Sequence, residues 1–394
     1  MSLFPPAEEL LSPHAFYRVR RHERPVAYDE AMQAWAVYRY PEVKTVLMDH
    51  QAFSSQRLAS QEAEGFRESL ISMDPPRHRQ LRGLISKAFT PRAINDMVPR
   101  IEALTRELLD AIEEGGRLEL VNDLAHPLPV IVIAEMLGVP PADRPQYKRW
   151  ADELLSGTTN LLERREEALE RGRRVQAEMD AYFQAIIEER RKRPREDLIS
   201  HLLSAELEGE RLSEEGVLSF CALLLLAGHI TTVNLITNGM LCLLDHPDQM
   251  RHLRTHPEDM MSAIEEMLRY RSPVQWTARA ATRDMELGGE TIKEGQMVLA
   301  FIGSANRDEA VFKEPDRFDV RRDPNPHLSF GHGIHYCIGA PLARLEGAIA
   351  MRAMLARLGA IRRDPEAPAA LRHIEGGLLH GVAELPLCFE PVRS

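Results

Sequence analysis

Four side chains able to bind a metal fall close together near the end of the chain: His327, His332, His335 and Cys337. They lie in the stretch His327-Leu-Ser-Phe330-Gly331-His332-Gly333-Ile-His335-Tyr-Cys337-Ile-Gly339-Ala-Pro-Leu-Ala-Arg344. Glycines on both sides of the cysteine let the backbone turn tightly and leave the sulfur at the mouth of a turn. After it, Ala340 to Leu358 repeats small and apolar residues at helical spacing, which predicts a helix. A thiolate at a helix N-terminus is favoured by the unpaired N–H groups there, and a metal–sulfur bond is stabilised with it. Two other readings stand beside a thiolate metal ligand: a buried structural cysteine, and a zinc site completed by the three histidines.

The elements that must hold this stretch come from an ordinary globular composition, with 44% apolar and 28% charged residues in 394. The net charge of −11 speaks against nucleic acid or anionic lipid as a partner. Cys221, Cys242, Cys337 and Cys388 are scattered with no C-x-x-C pair, the pattern of a reducing compartment, and a cytoplasmic location is expected. Met1 to Arg24 carries prolines and mixed charges, so no signal peptide is expected. No repeat or low-complexity linker divides the chain, and one domain over 1–394 is the expectation.

Val217 to Leu244 holds no Asp, Glu, Lys or Arg and passes the crude length test for a membrane span. A polar seam of Gly228, His229, Thr231, Thr232, Asn234, Thr237, Asn238 and Gly239 interrupts it. That pattern favours a helix buried through a large protein over a membrane span.

Val26 to Arg39 is a hairpin and Pro41 to Met48 a short helix. The stretch from Ser54 to Ser72 has no clear period. Met73 to Phe89 is a helix opened by prolines, with His78 and Arg82 four apart on one face, by themselves a solvated basic face. Ile101, Leu104, Leu108 and Ile112 form an amphipathic stripe, and Asn122 to Leu137 an apolar segment. Val175, Met179, Tyr182 and Ile186 mark a surface helix, and the Arg190–Arg195 run a solvated end. Pro257 to Tyr270 is a helix on which Glu266 and Arg269 can pair. Short strands fill Gln275 to Leu299, Phe312 to Asn325 is irregular, and the last strands fall near Leu378 and Leu385–Phe389.

Taken together and in order, these features resemble the bacterial cytochrome P450 family, soluble haem-thiolate monooxygenases, over nearly the whole chain. Phe330, Gly331, Gly333, His335, Cys337 and Gly339 match that family's cysteine loop. Glu266 and Arg269 match its glutamate-x-x-arginine pair, Arg317 its arginine in the irregular segment, and Ala227-Gly228-His229-Ile230-Thr231-Thr232 its central helix. The resemblance implies a mainly α fold with small β-sheets and a long central helix over haem b (iron protoporphyrin IX). It makes Cys337 the iron ligand, whose electron donation favours O–O cleavage. It assigns His78, Arg82, Arg279 and His335 to the propionates, with Phe330, Gly331 and Gly339 also against the cofactor. Glu266, Arg269 and Arg317 become a buried ionic network. Leu224, Gly228, Thr231 and Leu235 share one helical face; there Ala227 and Gly228 leave room for dioxygen, and Thr231 or Thr232 helps protonate it.

The implied reaction inserts one atom of dioxygen into a small to medium apolar substrate, by hydroxylation or epoxidation. Electrons come from NAD(P)H through a ferredoxin or flavodoxin and its reductase, with Lys87, Arg92 and Arg344 as contacts, and a monomer is expected. The pocket would be lined by the Ser54–Ser72 loop, Leu224, Ala227, Val274, Trp276, Leu378 and Leu379. A peroxide-driven enzyme and a non-catalytic haem sensor or carrier are the alternatives. One departure bears on mechanism: the family's acid before the threonine is here Ile230, so proton supply is expected to limit the coupling of reductant to product.

Overall fold

The computed structural model describes residues 3–56, 69–112, 116–159, 165–207, 209–374 and 376–391. Its backbone divides into two compact units, each built from separated stretches: Met1–Ser54, Arg100–Leu128 and Thr231–Ser394 in the first, Ser55–Pro99 and Pro129–Ile230 in the second.

In the first unit the expected hairpin forms, Val26–Asp29 antiparallel to Ala34–Val37. Met297–Ala300 adds parallel to the second strand, Thr277–Ala281 antiparallel to that, and Phe53–Ser54 on the far edge. The period-2 geometry of a strand explains why both faces are buried. Ala34 and Ala36 point into one cluster with Tyr17, Tyr38 and Phe301, where Tyr38 and Phe301 stack at 4.7 Å. Trp35 and Val37 point the other way, against Val43, Leu47, Phe53 and Phe312. Helix Tyr40–Met48 supplies Val43 and Leu47 to that second cluster. The strands expected between Gln275 and Leu299 appear as Thr277–Ala281, Met285–Leu287, Glu290–Ile292 and Met297–Ala300. Leu378 joins no strand, because Leu379 makes only an isolated bridge to Val274. The C-terminal strand Pro386–Pro391 pairs with Leu358–Arg363, which directly follows helix Ala340–Arg357.

The second unit is mostly helical: Arg77–Ala88, Pro91–Asp96, Arg144–Thr159, Arg165–Lys192 and Leu198–Ser204, with Glu206–Leu207 paired antiparallel to Glu210–Arg211. Val175, Met179 and Ile186 are buried along helix Arg165–Lys192, as their spacing predicts. The arginine run is not simply solvated. Arg190 is 2% exposed, pairs with Asp197 and donates to the Gly138 carbonyl at 3.1 Å. Asp197 in turn caps helix Leu198–Ser204 by accepting from Ser200 N at 2.8 Å, so a buried acid draws the cation inward.

The uncharged segment is one helix, Glu214–Asp245, 32 residues long. It is long and apolar enough to cross a membrane, yet 61% of its most apolar window is buried inside the protein, as the polar seam predicts.

Candidate functional site

The cysteine loop is fixed by backbone geometry before any side chain acts. Gly331 and Gly333 adopt φ of +72° and +73°, a region that disfavours side chains. A Cβ on Gly333 would lie 2.9 Å from the Leu47 carbonyl oxygen. Cys337 N donates to Phe330 O at 2.9 Å, and Tyr336 N to Gly333 O at 3.1 Å. The loop feeds through Gly339 into helix Ala340–Arg357 with a proline in its first turn. Of the four cysteines, Cys337 alone is exposed. Cys221 and Cys242 are buried thiols; burial pushes the Cys242 thiol up to about 12 and raises that of Cys221 further. The structural-cysteine reading therefore fits those two and not Cys337.

The zinc reading loses its geometry. Among the described residues no three His, Cys, Asp or Glu side chains converge as a metal site. His327 is occupied elsewhere, its Nε2 lying 3.0 Å from Glu265 Oε2.

Glu265, the neighbour of the recognised Glu266, is a site residue that sequence reasoning missed. Its carboxylate accepts from Arg344 Nε at 2.6 Å and Nη2 at 2.9 Å. Arg344 also lies 4.4 Å over the Phe330 ring and donates to the Tyr336 hydroxyl at 3.1 Å. Three residues of the loop and the first turns of its helix are thereby tied to helix Met260–Tyr270. Arg344, expected as a partner contact, thus spends an Nε, an Nη1 and an Nη2 donor within the loop region, on a bidentate pair and a hydroxyl, beside its ring stack. Burial alone would raise the Glu265 carboxyl, but hydrogen bonds from His327 and Arg344 outweigh it and bring it down to about 2.

The expected ionic network forms with one substitution of parts. Glu266 and Arg269 are both wholly buried and bonded at 2.7 and 2.8 Å. The third member is Arg322, whose Nε lies 3.1 Å from both Glu266 oxygens. Arg317 is not in the network by its side chain, which is 59% exposed and faces Glu314 and Asp319. Only its carbonyl takes part, accepting from Arg269 at 3.2 Å and Arg322 at 2.9 Å. The irregular chain turns so that Arg322, at 10% exposure, meets the buried carboxylate. Asn325 Nδ2 at 3.2 Å and Asp319 N at 3.0 Å complete its shell.

On helix Glu214–Asp245 accessibility follows one stripe. Leu224, Ala227, Gly228 and Thr231 are half-buried or exposed, while Leu225, His229, Ile230, Thr232 and Val233 are buried. Leu235, expected on the same face, is buried with one methyl 3.0 Å from where a Gly347 Cβ would lie. Gly228 serves packing, since a Cβ there would meet Ile133 Cδ1 at 2.4 Å. His229 is turned into the protein, with Nδ1 donating to Leu225 O at 2.7 Å. Thr232, about 100° round the helix from Thr231, hydrogen-bonds Glu346 and is 1% exposed, so Thr231 is the threonine on the accessible stripe.

His78 is 2% exposed on helix Arg77–Ala88 and Arg82 follows one turn later, half-buried, so a solvated basic face is ruled out for His78. Arg279 is 9% exposed on strand Thr277–Ala281, and His335 is half-buried in the turn Gly333–His335. Val274, Leu378 and Leu379 come together, with Gln275 N donating to Leu378 O at 2.8 Å. Trp276 packs 5.6 Å from Phe4 and donates to Gly377 O. Of the Ser54–Ser72 loop, residues 57–68 lie outside the described residues.

An accessible cysteine on a glycine loop ahead of a helix, beside a buried Glu-Arg network, is the frame of a haem-thiolate protein. The chain belongs to the cytochrome P450 family, whose model matches residues 27–360, and it is a haem-dependent monooxygenase by that membership. It is similar to the putative cytochrome P450 YjiB of Bacillus subtilis (strain 168), 47% identical over 88% of each chain. Cytochrome P450 109 of Bacillus spizizenii is 42% identical over 97% of this chain and 94% of its own length. The solved structure of CYP109E1 from Bacillus megaterium in complex with corticosterone has a TM-score of 0.89 at 40% identity, covering 97% of this chain and 99% of that one.

Two outcomes follow from the networks. Arg322→Ala should lower unfolding stability by about 2 kcal/mol, the worth of hydrogen bonds to a buried charge. Arg317→Ala should change it by less than about 0.5 kcal/mol; urea unfolding of the two variants checks the order. Glu265 is held below its ordinary value of 4.5, so its stabilisation is full above pH 4.5 and is lost as pH falls toward about 2. Thermal unfolding across that window should decline less steeply in Glu265→Gln than in the parent, and parallel declines would contradict the clamp.

Proposed function

We propose that this chain inserts one oxygen atom of dioxygen into an apolar, steroid-sized substrate, with Cys337 as the thiolate ligand of haem b. The observation that carries the reading is Cys337 itself, the one accessible cysteine, held by the Phe330 carbonyl on a loop that Glu265 and Arg344 anchor.

The donor set suits a haem. His78, Arg82, Arg279 and His335 are cationic or hydrogen-bonding groups of the kind two propionates require. The accessible stripe of Leu224, Ala227, Gly228 and Thr231 offers an apolar wall with one hydroxyl. When bound, the haem iron supplies dioxygen activation, and thiolate ligation favours O–O cleavage. The protein's own part is to hold the sulfur and keep charge off the apolar wall. Thr231 contributes the hydroxyl that positions a proton there.

Substrate class follows from apolar lining and from likeness. Val274, Leu378 and Leu379 are adjacent and accessible in the first unit, and a relative of similar sequence was solved with corticosterone. No carboxylate or arginine lies on the stripe to assist peroxide, which favours an electron-driven reaction. Electrons would come from NAD(P)H through a ferredoxin or flavodoxin. Arg92, 92% exposed and only loosely paired with Asp96 at 3.9 Å, is the candidate contact that stays accessible. Lys87 is bonded to the Glu206 carbonyl.

Reconstitution with ferredoxin, ferredoxin reductase, NAD(P)H and oxygen tests the reading, using corticosterone and a long-chain fatty acid as probes. The expected result is a haem spectral shift and a hydroxylated steroid that depends on every component. A product formed equally well from peroxide alone, or no product from either probe, would contradict it.

A further inference from the structure

Val274, Leu378 and Leu379 have little backbone structure of their own. Val274 and Leu379 pair only as an isolated bridge, with Gln275 N donating to Leu378 O and His380 N to Pro273 O, each at 2.8 Å. Two extended stretches joined so briefly are not self-supporting, and their position depends on what backs them. The N-terminal segment supplies that backing. Tyr17, 1% exposed on helix His14–Glu23, donates its hydroxyl to Gln275 Oε1 at 3.0 Å. The Leu11 carbonyl, just before that helix, lies 3.2 Å from His380 Nε2 and accepts from Arg271 Nη2 at 3.1 Å. A carbonyl can only accept, so His380 Nε2 carries the hydrogen. Phe4 adds an apolar contact, its ring 5.6 Å from that of Trp276, which donates to Gly377 O at 2.9 Å.

Both polar ties are buried and sit next to the apolar residues in the chain. Gln275 directly follows Val274 and is 4% exposed. Its amide also donates to Ser272 O at 2.7 Å and fills the space that a side chain on Gly303 would need. His380 directly follows Leu379 and is wholly buried, and Asn238 on helix Glu214–Asp245 donates to its carbonyl at 2.8 Å. Burial, with Arg271 beside it, holds the imidazole well below its ordinary pKa and so neutral. A buried hydrogen bond fixes geometry, because any other arrangement leaves a donor or acceptor unpaired. We propose that Gln275 and His380 are positioning residues for substrate selectivity: through Tyr17 and the Leu11 carbonyl, the N-terminal segment sets where Val274, Leu378 and Leu379 stand. The proposal rests on the monooxygenase reading above, in which those three residues line the pocket. Each positioning residue acts through the apolar residue beside it.

The test compares haem-loaded wild type with Tyr17→Phe, Gln275→Leu, His380→Leu and His380→Gln. Corticosterone and a long-chain fatty acid serve as probes, with ferredoxin, reductase and NAD(P)H, and products are counted per haem. Tyr17→Phe removes one hydroxyl and keeps the ring; His380→Gln keeps an N–H donor that His380→Leu lacks. A displacement of about 1 Å can cost about a hundredfold in rate, so the ratio of hydroxylated isomers should move by about threefold or more in Tyr17→Phe, Gln275→Leu and His380→Leu. His380→Gln should return toward the wild-type ratio. Tyr17→Phe/Gln275→Leu should give the ratio of Gln275→Leu alone, because the two side chains act through one bond.

A purely structural role would lower haem loading and leave the isomer ratio per haem unchanged, and that result would overturn the proposal. So would a double variant whose shift is the sum of the two single ones, or a His380→Gln ratio no nearer wild type than that of His380→Leu. Where His380→Leu loads no haem, the ratio in Tyr17→Phe decides alone. If wild type hydroxylates neither probe, the monooxygenase reading falls and this proposal with it. If wild type turns over and only the variant ratios fail to move, this proposal falls alone.

Discussion

A single buried carboxylate governs the part of the chain that leads into the cysteine. Glu266 is wholly out of solvent and takes N–H donors from Arg269, Arg322, Asn325 and the Asp319 backbone. A carboxylate in that position is tolerable only with its lone pairs filled, and removal of one partner leaves a charge without compensation. Arg269 spends its remaining donors on the carbonyls of Asn306, Pro315 and Arg317. Between them the two residues pin an irregular stretch that has no ladder or helix to satisfy its backbone. Asn306 continues the path, bonding Ser272, Ser329 and the Leu328 N–H. The loop that presents Cys337 therefore begins from a fixed point rather than from a free segment.

A second ionic clamp acts from the other end of the loop. Glu265 and Glu266 are adjacent on helix Met260–Tyr270, yet one gathers the chain before the loop and the other gathers His327, Tyr336 and Arg344 around it. The loop's tight turns are left to glycine, where a side chain on Gly333 would collide with the Leu47 backbone. The sulfur's position thus follows from buried charge and backbone sterics together.

Much of this was legible in the sequence, and the limits have physical causes. The glycine-flanked cysteine, the helix after it and the uncharged buried helix carry strong local signals, because each depends on residues close in the chain. The Glu266–Arg269 pair was legible too, but not its depth, since helical spacing says which residues meet and not what covers them. Arg322 was out of reach: Arg317 and Arg322 share one irregular segment, and only the path of the backbone decides which guanidinium faces inward. Glu265 was hidden beside a better-known neighbour, and Arg344 looked like a free cation because its partner lies 79 positions away. Thr232 and Glu346 are separated by more than a hundred residues, and nothing in either local pattern announces the other.

All of these anchors serve one atom, the Cys337 sulfur that would hold the iron. The most direct measurement is the carbon monoxide difference spectrum of the reduced, haem-loaded protein. A strongly red-shifted Soret band in wild type, lost in Cys337→Ala, is the predicted result. An unshifted band of the kind histidine or thiol ligation gives, or a red-shifted band that survives Cys337→Ala, would contradict it.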